Sequence, residues 1–506
     1  MRNLTRILIL AAAGASLALA ASNAPLADAL EAGDFEKAET LLDGANAKAA
    51  QPDGTTPLHW AVRFNELDLA KELIDMGADV RAENRFHITP LYLAAQNGSA
   101  EMIELLLNNG ADANDAVNLN ETALHTAART GKVEAAKVLV DHGAVVDARE
   151  EWHGQTPLMW AVSEGHPEMT AFLLERGADV NAVSDINEWE RQTTDEPRAK
   201  WLPLGGLTPL MFAARDNCLE CAKILVANGA DYQYQDPHKV SAVVMAIING
   251  HFDVAAYLTD IGTDPNLYDD TGRGALFAAT DFNTIPVSNR PPPNVVQEKT
   301  TALELMQKLI DAGAEVNHQL DKQQPYRAKL DRGQDTMFTT GTTPLLRATK
   351  VADLAGMKVL LDAGADVNIA TRNGVTPLMA AAGVGNSEAD ATGRFKTEDE
   401  TIEAIRIMLD HGADINAADR TGFTALHAAA KWGKDAVVVF LIEEGADLTA
   451  KDRNGFTPLD ASLGLAGGSG GFDGSRRDVH ETTAEILRAA MEARGISTES
   501  TALPKP

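Results

Sequence analysis

The stretch Thr56-Pro57-Leu58-His59-Trp60-Ala61-Val62-Arg63-Phe64-Asn65, followed by Gly77-Ala78-Asp79, decides how this 506-residue chain folds, because both of its signatures recur. The first block returns as Thr89-Pro90-Leu91-Tyr92, Thr122-Ala123-Leu124-His125, Thr156-Pro157-Leu158-Met159 and Thr208-Pro209-Leu210-Met211. It returns again as Thr343-Pro344-Leu345-Leu346, Thr376-Pro377-Leu378-Met379, Thr424-Ala425-Leu426-His427 and Thr457-Pro458-Leu459-Asp460, with degenerate copies at 241–244 and 274–277. The spacing is 33 or 34 residues wherever nothing is inserted. The second block follows 21 residues later, at Gly77, Gly110, Gly177, Gly229, Gly364 and Gly445, and after an insertion at Gly412. A chain with such a beat makes one supersecondary unit per period and stacks the units, so no single core grows with length.

Each residue of the unit has a physical task. Thr56 caps a helix by accepting a backbone N–H of its first turn. Pro57 suits the next position, where a missing N–H costs nothing. Leu58 and Ala61 face inward at helical spacing, and Asn65 ends this short helix. A second helix is predicted next, with Leu69, Leu73 and Ile74 as its buried stripe. Gly77 ends it in the left-handed conformation that glycine adopts most cheaply. Pairs such as Asp53-Gly54 and Asn373-Gly374 then make a tight turn.

Period, Thr-Pro-Leu-His and Gly-Ala-Asp together resemble the ankyrin repeat. The resemblance covers roughly residues 24–495 and implies an all-α solenoid of helix–turn–helix units with short β-hairpin fingers. The expected organisation is an N-terminal capping repeat at 24–53, repeats at 54–283, an insertion-rich repeat at 284–342, repeats at 343–454, a C-terminal capping repeat at 455–495 and a disordered tail at 496–506.

The first twenty residues read as an export signal. Arg2 and Arg6 precede an uncharged apolar run from Ile7 to Ala20, and Ala18-Leu19-Ala20 offers the small residues that signal peptidase requires. Cleavage is expected after Ala20, into the periplasm or beyond. No later segment is apolar for long enough to span a bilayer, so no membrane insertion is expected. Net charge is −29; without residues 1–20, 42 basic face 73 acidic residues, giving −31. Such a field repels nucleic acid. The partner expected instead is a protein, bound by a monomer.

Three intervals, holding four insertions, break the beat, and breaks in a local rule are where function is expected. Between Thr156 and Thr208 the gap is 52, and the extra residues, about 184–205, carry Trp189, Arg191, Arg198 and Trp201. Between Gly274 and Thr343 it is 69, with one insertion at about 283–300 and another at about 318–341 that holds Tyr326, Arg327, Arg332 and Phe338. Between Thr376 and Thr424 it is 48, with residues 385–398 inserted. Long surface insertions are cheap, so simple loop growth is the alternative. Trp, Tyr and Arg are the types enriched at binding hot spots, which favours the two finger insertions as recognition elements.

Ankyrin folds turn the two residues before the inter-helix turn toward the concave face. Here those pairs include Arg63-Phe64, Arg129-Thr130, Arg215-Asp216, Lys350-Val351 and Lys431-Trp432. Five of ten pairs carry a cation in a strongly acidic protein, so this face is less acidic than the rest. The expected site is therefore Arg63, Phe64, Arg129, Arg215, Lys350, Lys431 and Trp432, with the finger residues Trp189, Arg198, Trp201, Tyr326, Arg327 and Phe338, recognising apolar and acidic groups. Scattered solvated charges are the competing reading.

Catalytic patterns are not found. Cys218-Leu219-Glu220-Cys221 lacks the histidine of a haem site and the second half of a zinc site. It reads as a turn position at Cys218 and a buried position at Cys221, or as a local disulfide. His59, His125 and His427 recur at the repeat spacing, which assigns them to turn backbone groups between units. Gly467-Gly468-Ser469-Gly470-Gly471 has no Gly-Lys-Ser/Thr after it and reads as a flexible loop. No cofactor or metal is expected, and no enzyme. Insertions around Trp189-Glu190-Arg191, Pro325-Tyr326-Arg327 and Gly393-Arg394-Phe395-Lys396 also resemble exported bacterial ankyrin proteins with long fingers. The function expected is a protein-binding scaffold; the alternatives are an accessory subunit of a periplasmic enzyme and a secreted effector acting on another cell.

Overall fold

The computed structural model describes residues 23–187, 204–283, 295, 297–322, 340–384, 396–465 and 478–499. The export signal, the Gly-rich loop and residues 500–506 of the C-terminal tail lie outside these residues, as do Trp189, Arg198, Trp201, Tyr326, Arg327 and Phe338. The chain forms two compact units that meet in sequence between Asp179 and Val180.

Unit 1 holds α1 (Pro25–Glu31), α2 (Phe35–Leu41), α3 (Pro57–Arg63), α4 (Leu67–Asp75), α5 (Pro90–Asn97) and α6 (Ala100–Asn108), then the strands β1 (Ala116–Val117) and β2 (Glu121–Thr122), then α7 (Ala123–Thr130), α8 (Val133–Asp141), α9 (Pro157–Ser163) and α10 (Pro167–Glu175). Unit 2 holds α11 (Pro209–Asp216), α12 (Leu219–Ala227), α13 (Ala242–Asn249), α14 (Phe252–Asp260), α15 (Ala275–Asn283) and α16 (Ala302–Asp311). It continues with α17 (Pro344–Lys350), α18 (Leu354–Asp362), α19 (Pro377–Ala382), α20 (Glu398–Asp410), α21 (Ala425–Lys431), α22 (Asp435–Glu443), α23 (Pro458–Ser462) and α24 (Glu481–Ala493). Within each unit, first helices stack on first helices and second on second, as α3, α5, α7 and α9 do.

The caps follow the sequence logic. Thr56, Thr89, Thr156, Thr208, Thr343 and Thr376 each accept the backbone N–H three residues on, with proline next in the chain. Leu58, Leu91, Leu124 and Leu158 are sealed in the core, and beside them Ala61, Ala94, Ala127 and Ala161 let neighbouring helices approach closely. The second helix differs from expectation: Ala70 and Leu73 are its buried residues, while Leu69 and Ile74 are half-buried. A small Ala at the contact suffices because its neighbour is another thin helix. Asn65 and Asn217 end their helices in the left-handed region, with φ of 58° and 62°.

Histidines tie unit to unit. His59 Nδ1 accepts the Thr56 N–H at 3.1 Å, and Nε2 donates to the Ile88 carbonyl of the next repeat at 3.0 Å. His125 and His427 repeat the pattern toward Gln155 and Phe456. Burial lowers the pKa of all three, that of His125 to about 4.

Two further devices join the repeats. Where an Asn or Gln stands two places after the Gly-Ala-Asp position, it makes a paired bond to the same position of the next repeat. Asn368 Nδ2 donates to the Gly412 carbonyl at 3.3 Å, while its Oδ1 accepts the Asp414 N–H at 3.3 Å. Asn114, Asn181, Gln233, Asn266, Asn317 and Asn416 do the same. In the fingers, a buried carboxylate gathers the turn's N–H groups: Asp419 accepts those of Thr421 and Phe423, and Asp452 those of Asn454 and Phe456. Successive fingers then join through single backbone bonds, such as Glu151 N–H to Leu119 O at 2.7 Å and Arg420 N–H to Asn373 O at 2.9 Å.

Both finger insertions leave from paired stems. Ser184 and Leu207 exchange bonds, and Asn187 N–H donates to Leu204 O at 2.7 Å. Leu320 N–H donates to Thr342 O and Gly341 N–H to Leu320 O. No helix among the described residues is long and apolar enough to cross a membrane.

Candidate functional site

The first-helix ends carry the cations expected to face the groove, and most of them lie on aromatic rings. Arg63 follows Trp60 by three residues on α3, which puts both on one helix face. Its guanidinium stands over the indole at 6.0 Å. Phe64 stacks on the same indole at 6.1 Å and meets Phe35 edge-on at 5.9 Å. Arg215 repeats the i, i+3 geometry over Phe212 at 4.5 Å. Arg129 reaches across a repeat to Trp160, at 5.6 Å. Lys431 sits 5.7 Å from the ring of its neighbour Trp432, whose indole N–H donates to Gly383 O. Such contacts add about 0.5–1 kcal/mol each where exposed and hold a flexible cation in a defined pose.

The cations differ in what else holds them. Arg63 is exposed and makes no ion pair among the described residues. Arg129 approaches Glu121 at 3.8 Å, and that carboxylate also accepts the hydroxyls of Thr126 at 2.8 Å and Tyr92 at 3.4 Å. Burial, reinforced by Glu121, raises the Tyr92 pKa. Arg215 is chelated by Asp216, with contacts of 3.0 and 2.8 Å. Lys350 corrects the sequence reading: it is 5% exposed and sits in the core of unit 2 instead of facing the groove.

Around Lys350 lies a set of buried charges. The Arg347 guanidinium bonds Asp281 at 2.8 Å with only 6% of its side chain exposed. The Lys396 ammonium donates to Lys350 O at 3.0 Å, to Ala380 O at 3.4 Å and to Ala381 O. It thereby satisfies the carbonyl ends of α17 and α19, where helix dipoles attract a cation. Burial, with Lys350 and Lys434 nearby, lowers its pKa to about 7. These cations hold the stack together.

Three residues the sequence reading passed over stand out in unit 1. Phe86, Leu119 and Trp152 are large apolar side chains 51%, 48% and 66% exposed, each at the tip of a successive finger. Leu119 sits in the left-handed region with φ 61°, a conformation that costs a leucine about 1–2 kcal/mol. A strained backbone that holds an apolar side chain in water makes these finger tips a candidate surface. The 33-residue step from 86 to 119 and on to 152 was the available signal.

Between the first finger tips and the first-helix ends of unit 1 lies a cavity of about 650 Å³, lined by Trp60, Arg63, Arg85, Phe86, Tyr92 and Leu93 among others. Arg85 stands 4.6 Å over the Phe86 ring. In unit 2, Cys218 and Cys221 are joined as a disulfide at the start of α12, where Cys218 Sγ also accepts the Cys221 N–H at 3.2 Å. No group of His, Cys, Asp and Glu suited to a metal ion occurs among the described residues.

Comparison with known proteins adds a sequence family. The profile described as ankyrin repeats (3 copies) matches residues 26–117, 91–184, 191–284 and 397–461, and a single ankyrin repeat matches 373–420. Putative ankyrin repeat protein R664 of Acanthamoeba polyphaga mimivirus is 37% identical over 117 residues, 23% of this chain and 64% of that protein. A putative ankyrin repeat-containing protein of Treponema pallidum (strain Nichols) is 31% identical over 140 residues, 28% of this chain and 40% of that protein. The chain thus spans less than two thirds of the length of the curated relatives it matches. Among solved structures, the ankyrin repeat domain of Bcl-3 is 27% identical, with a TM-score of 0.38, over 45% of this chain and 94% of that one. The human ASB11 ankyrin repeat domain is 26% identical, with a TM-score of 0.35, over 44% and 91%.

Proposed function

The chain belongs to the ankyrin-repeat family, and on that premise we propose that it is an exported, non-catalytic scaffold that binds a protein partner through the first-helix ends and finger tips of its repeats. One observation carries this reading. Side chains that serve neither core nor cap are aromatic rings backed by cations, Trp60 with Arg63 and Trp160 with Arg129, beside apolar finger tips at Phe86, Leu119 and Trp152. Aromatic and arginine side chains dominate the energetics of protein interfaces. An apolar row in water has a cost that a covering partner removes.

The site is periplasmic or extracellular on this reading, with residues 1–20 as the cleaved signal. Fractionation followed by N-terminal sequencing checks this, with Ala21 expected as the first residue. Binding is checked by crosslinking in periplasmic extract. The triple variant Arg63→Glu, Arg129→Glu, Arg215→Glu is expected to lose the crosslinked partner while keeping its fold by circular dichroism. A partner retained at full yield by that variant sinks the concave-face reading.

A further inference from the structure

We propose that the unit 1 cavity takes a short extended segment of the partner that carries a bulky apolar side chain next to a carboxylate. The apolar side chain seats between Trp60, Phe86 and Tyr92, and the carboxylate is held by Arg63 and Arg85. This inference rests on the scaffold reading above and adds the chemistry of what is recognised.

Size comes first. About 650 Å³ lies within the range of ligand-binding clefts, about 300–1,000 Å³, and exceeds what one side chain fills, so several residues of a segment enter. The walls then select the chemistry. Cations and anions both reach the cavity, but they are not equally available. Glu31 accepts the Gln51 amide at 2.7 Å, and Asp53 accepts the Thr55 N–H at 3.0 Å. The Trp60 indole N–H is spent on Gln51 at 2.9 Å. Arg63 and Arg85 make neither an ion pair nor a side-chain hydrogen bond to any described residue, and each is exposed. Glu31 and Asp53 keep their charge but each already accepts a hydrogen bond, whereas the two guanidinium forks have no ionic or hydrogen-bond partner among the described residues.

The two guanidiniums are also posed. One stands over Trp60 and the other over Phe86, on a helix end and on the following finger respectively. Stacking holds a guanidinium while sparing its N–H fork, which matches a carboxylate bidentately. The acidic chain weakens association with any anion, so the preference rests on the two guanidinium groups at contact range, where screening by salt is least.

The test uses the full chain and three dye-labelled, terminally blocked peptides: Ala-Phe-Glu-Glu-Ala, Ala-Phe-Gln-Gln-Ala and Ala-Phe-Lys-Lys-Ala. Fluorescence anisotropy is expected to rank the acidic peptide about tenfold tighter than the glutamine one, as for one charge-assisted fork. The variant Arg63→Gln/Arg85→Gln is expected to erase that preference with an unchanged melting temperature, and Arg63→Lys/Arg85→Lys to keep only part of it. Equal binding of the acidic and glutamine peptides overturns the inference. So does preference for the lysine peptide, no binding of any peptide, or a response to inorganic phosphate or AMP stronger than to the acidic peptide. The two readings fail separately: a partner crosslinked by the wild-type chain and equally by Arg63→Gln/Arg85→Gln removes this inference and leaves the scaffold standing.

Discussion

The two units use the same repeat chemistry for different ends. In unit 1 the cation at the first-helix end is exposed on a ring, as Arg63 is on Trp60, and the finger tips present Phe86, Leu119 and Trp152 to water. In unit 2 Arg215 and Lys431 keep that ring-backed pose, on Phe212 and Trp432, but Arg347 turns inward to a carboxylate, Lys396 to helix carbonyls, and Lys350 is buried beside them. Its finger tips carry Asn373, Thr421 and Asn454, with glycines at 374, 422 and 455 taking the left-handed backbone. A repeat can therefore devote its variable positions to recognition or to cohesion. The choice shows in burial, since residue type alone is the same in both.

The sharpest way to break this comparison is to remove a charge from each unit. Asp281→Ala strips the buried Arg347 guanidinium of its 2.8 Å carboxylate and is expected to cost about 3–5 kcal/mol in urea unfolding. Arg63→Ala in unit 1 is expected to stay within about 0.5 kcal/mol, because its ring contact is exposed. Equal costs would show that exposure does not separate the two roles.

Acid distinguishes the units next. The folded state holds His125 neutral, with Nδ1 accepting and Nε2 donating. Its folded pKa is about 4 against 6.5 unfolded, so the unfolded chain binds more protons between those values. Stability is then full above pH 6.5 and falls as the pH drops toward 4, by on the order of 2–3 kcal/mol for this residue. Unit 1 also holds His59, and unit 2 holds His251 and His427, all lowered by burial; the contrast rests on the larger shift of His125. Hydrogen exchange at pH 5 is expected to show unit 1 opening first, and His125→Met to flatten its pH dependence.

Reduction acts on unit 2 alone. Cys218 and Cys221 close a very short loop, so reductant is expected to lower stability by about 2 kcal/mol or less, with a mass gain of two hydrogens. A larger loss would mean that the start of α12 needs the bond to form.

The smallest effect concerns the amide ladder. Asn368→Ala is expected to cost about 1 kcal/mol, since it removes a paired bond to Gly412 and Asp414. In unit 1 Asn114 makes this bond, but the next repeat has an aspartate there. Asp147 accepts the Asp179 N–H at 3.1 Å but has no donor for the Gly177 carbonyl, and burial raises its pKa. Asp147→Asn is expected to stabilise by about 0.5–1 kcal/mol. Thermal melting of the two variants, moving in opposite directions, checks the ladder.

Much of this was legible in the residues. Thr56-Pro57 announces its helix because cap and N1 proline act within one turn, and His59 follows from the same block. Arg63, Arg129, Arg215 and Lys431 were legible as a set because the repeat fixes which position precedes the turn. Lys350 was misplaced for the same reason: its position is standard, but Lys396, far along the chain, packs its ammonium against that helix end and closes it off. The pairing of Arg129 with Trp160 was not legible either, since it depends on how far one helix is offset from the next. Phe86, Leu119 and Trp152 could have been found from their spacing, but finger residues in single copies look like ordinary turns.

The sequence by itself determined the unit: its caps, its two helices, its left-handed stops and the number of times it is repeated. Those features act over a few residues, where local sterics and hydrogen bonds dominate. Only the tertiary structure decided which cations remain in water and which acids are already satisfied. It also decided that Trp60, Arg85 and Tyr92 share one cavity. Burial and availability arise from the stacking of neighbouring repeats, and a position's neighbours across that stack come from residues such as 29 or 66 places away.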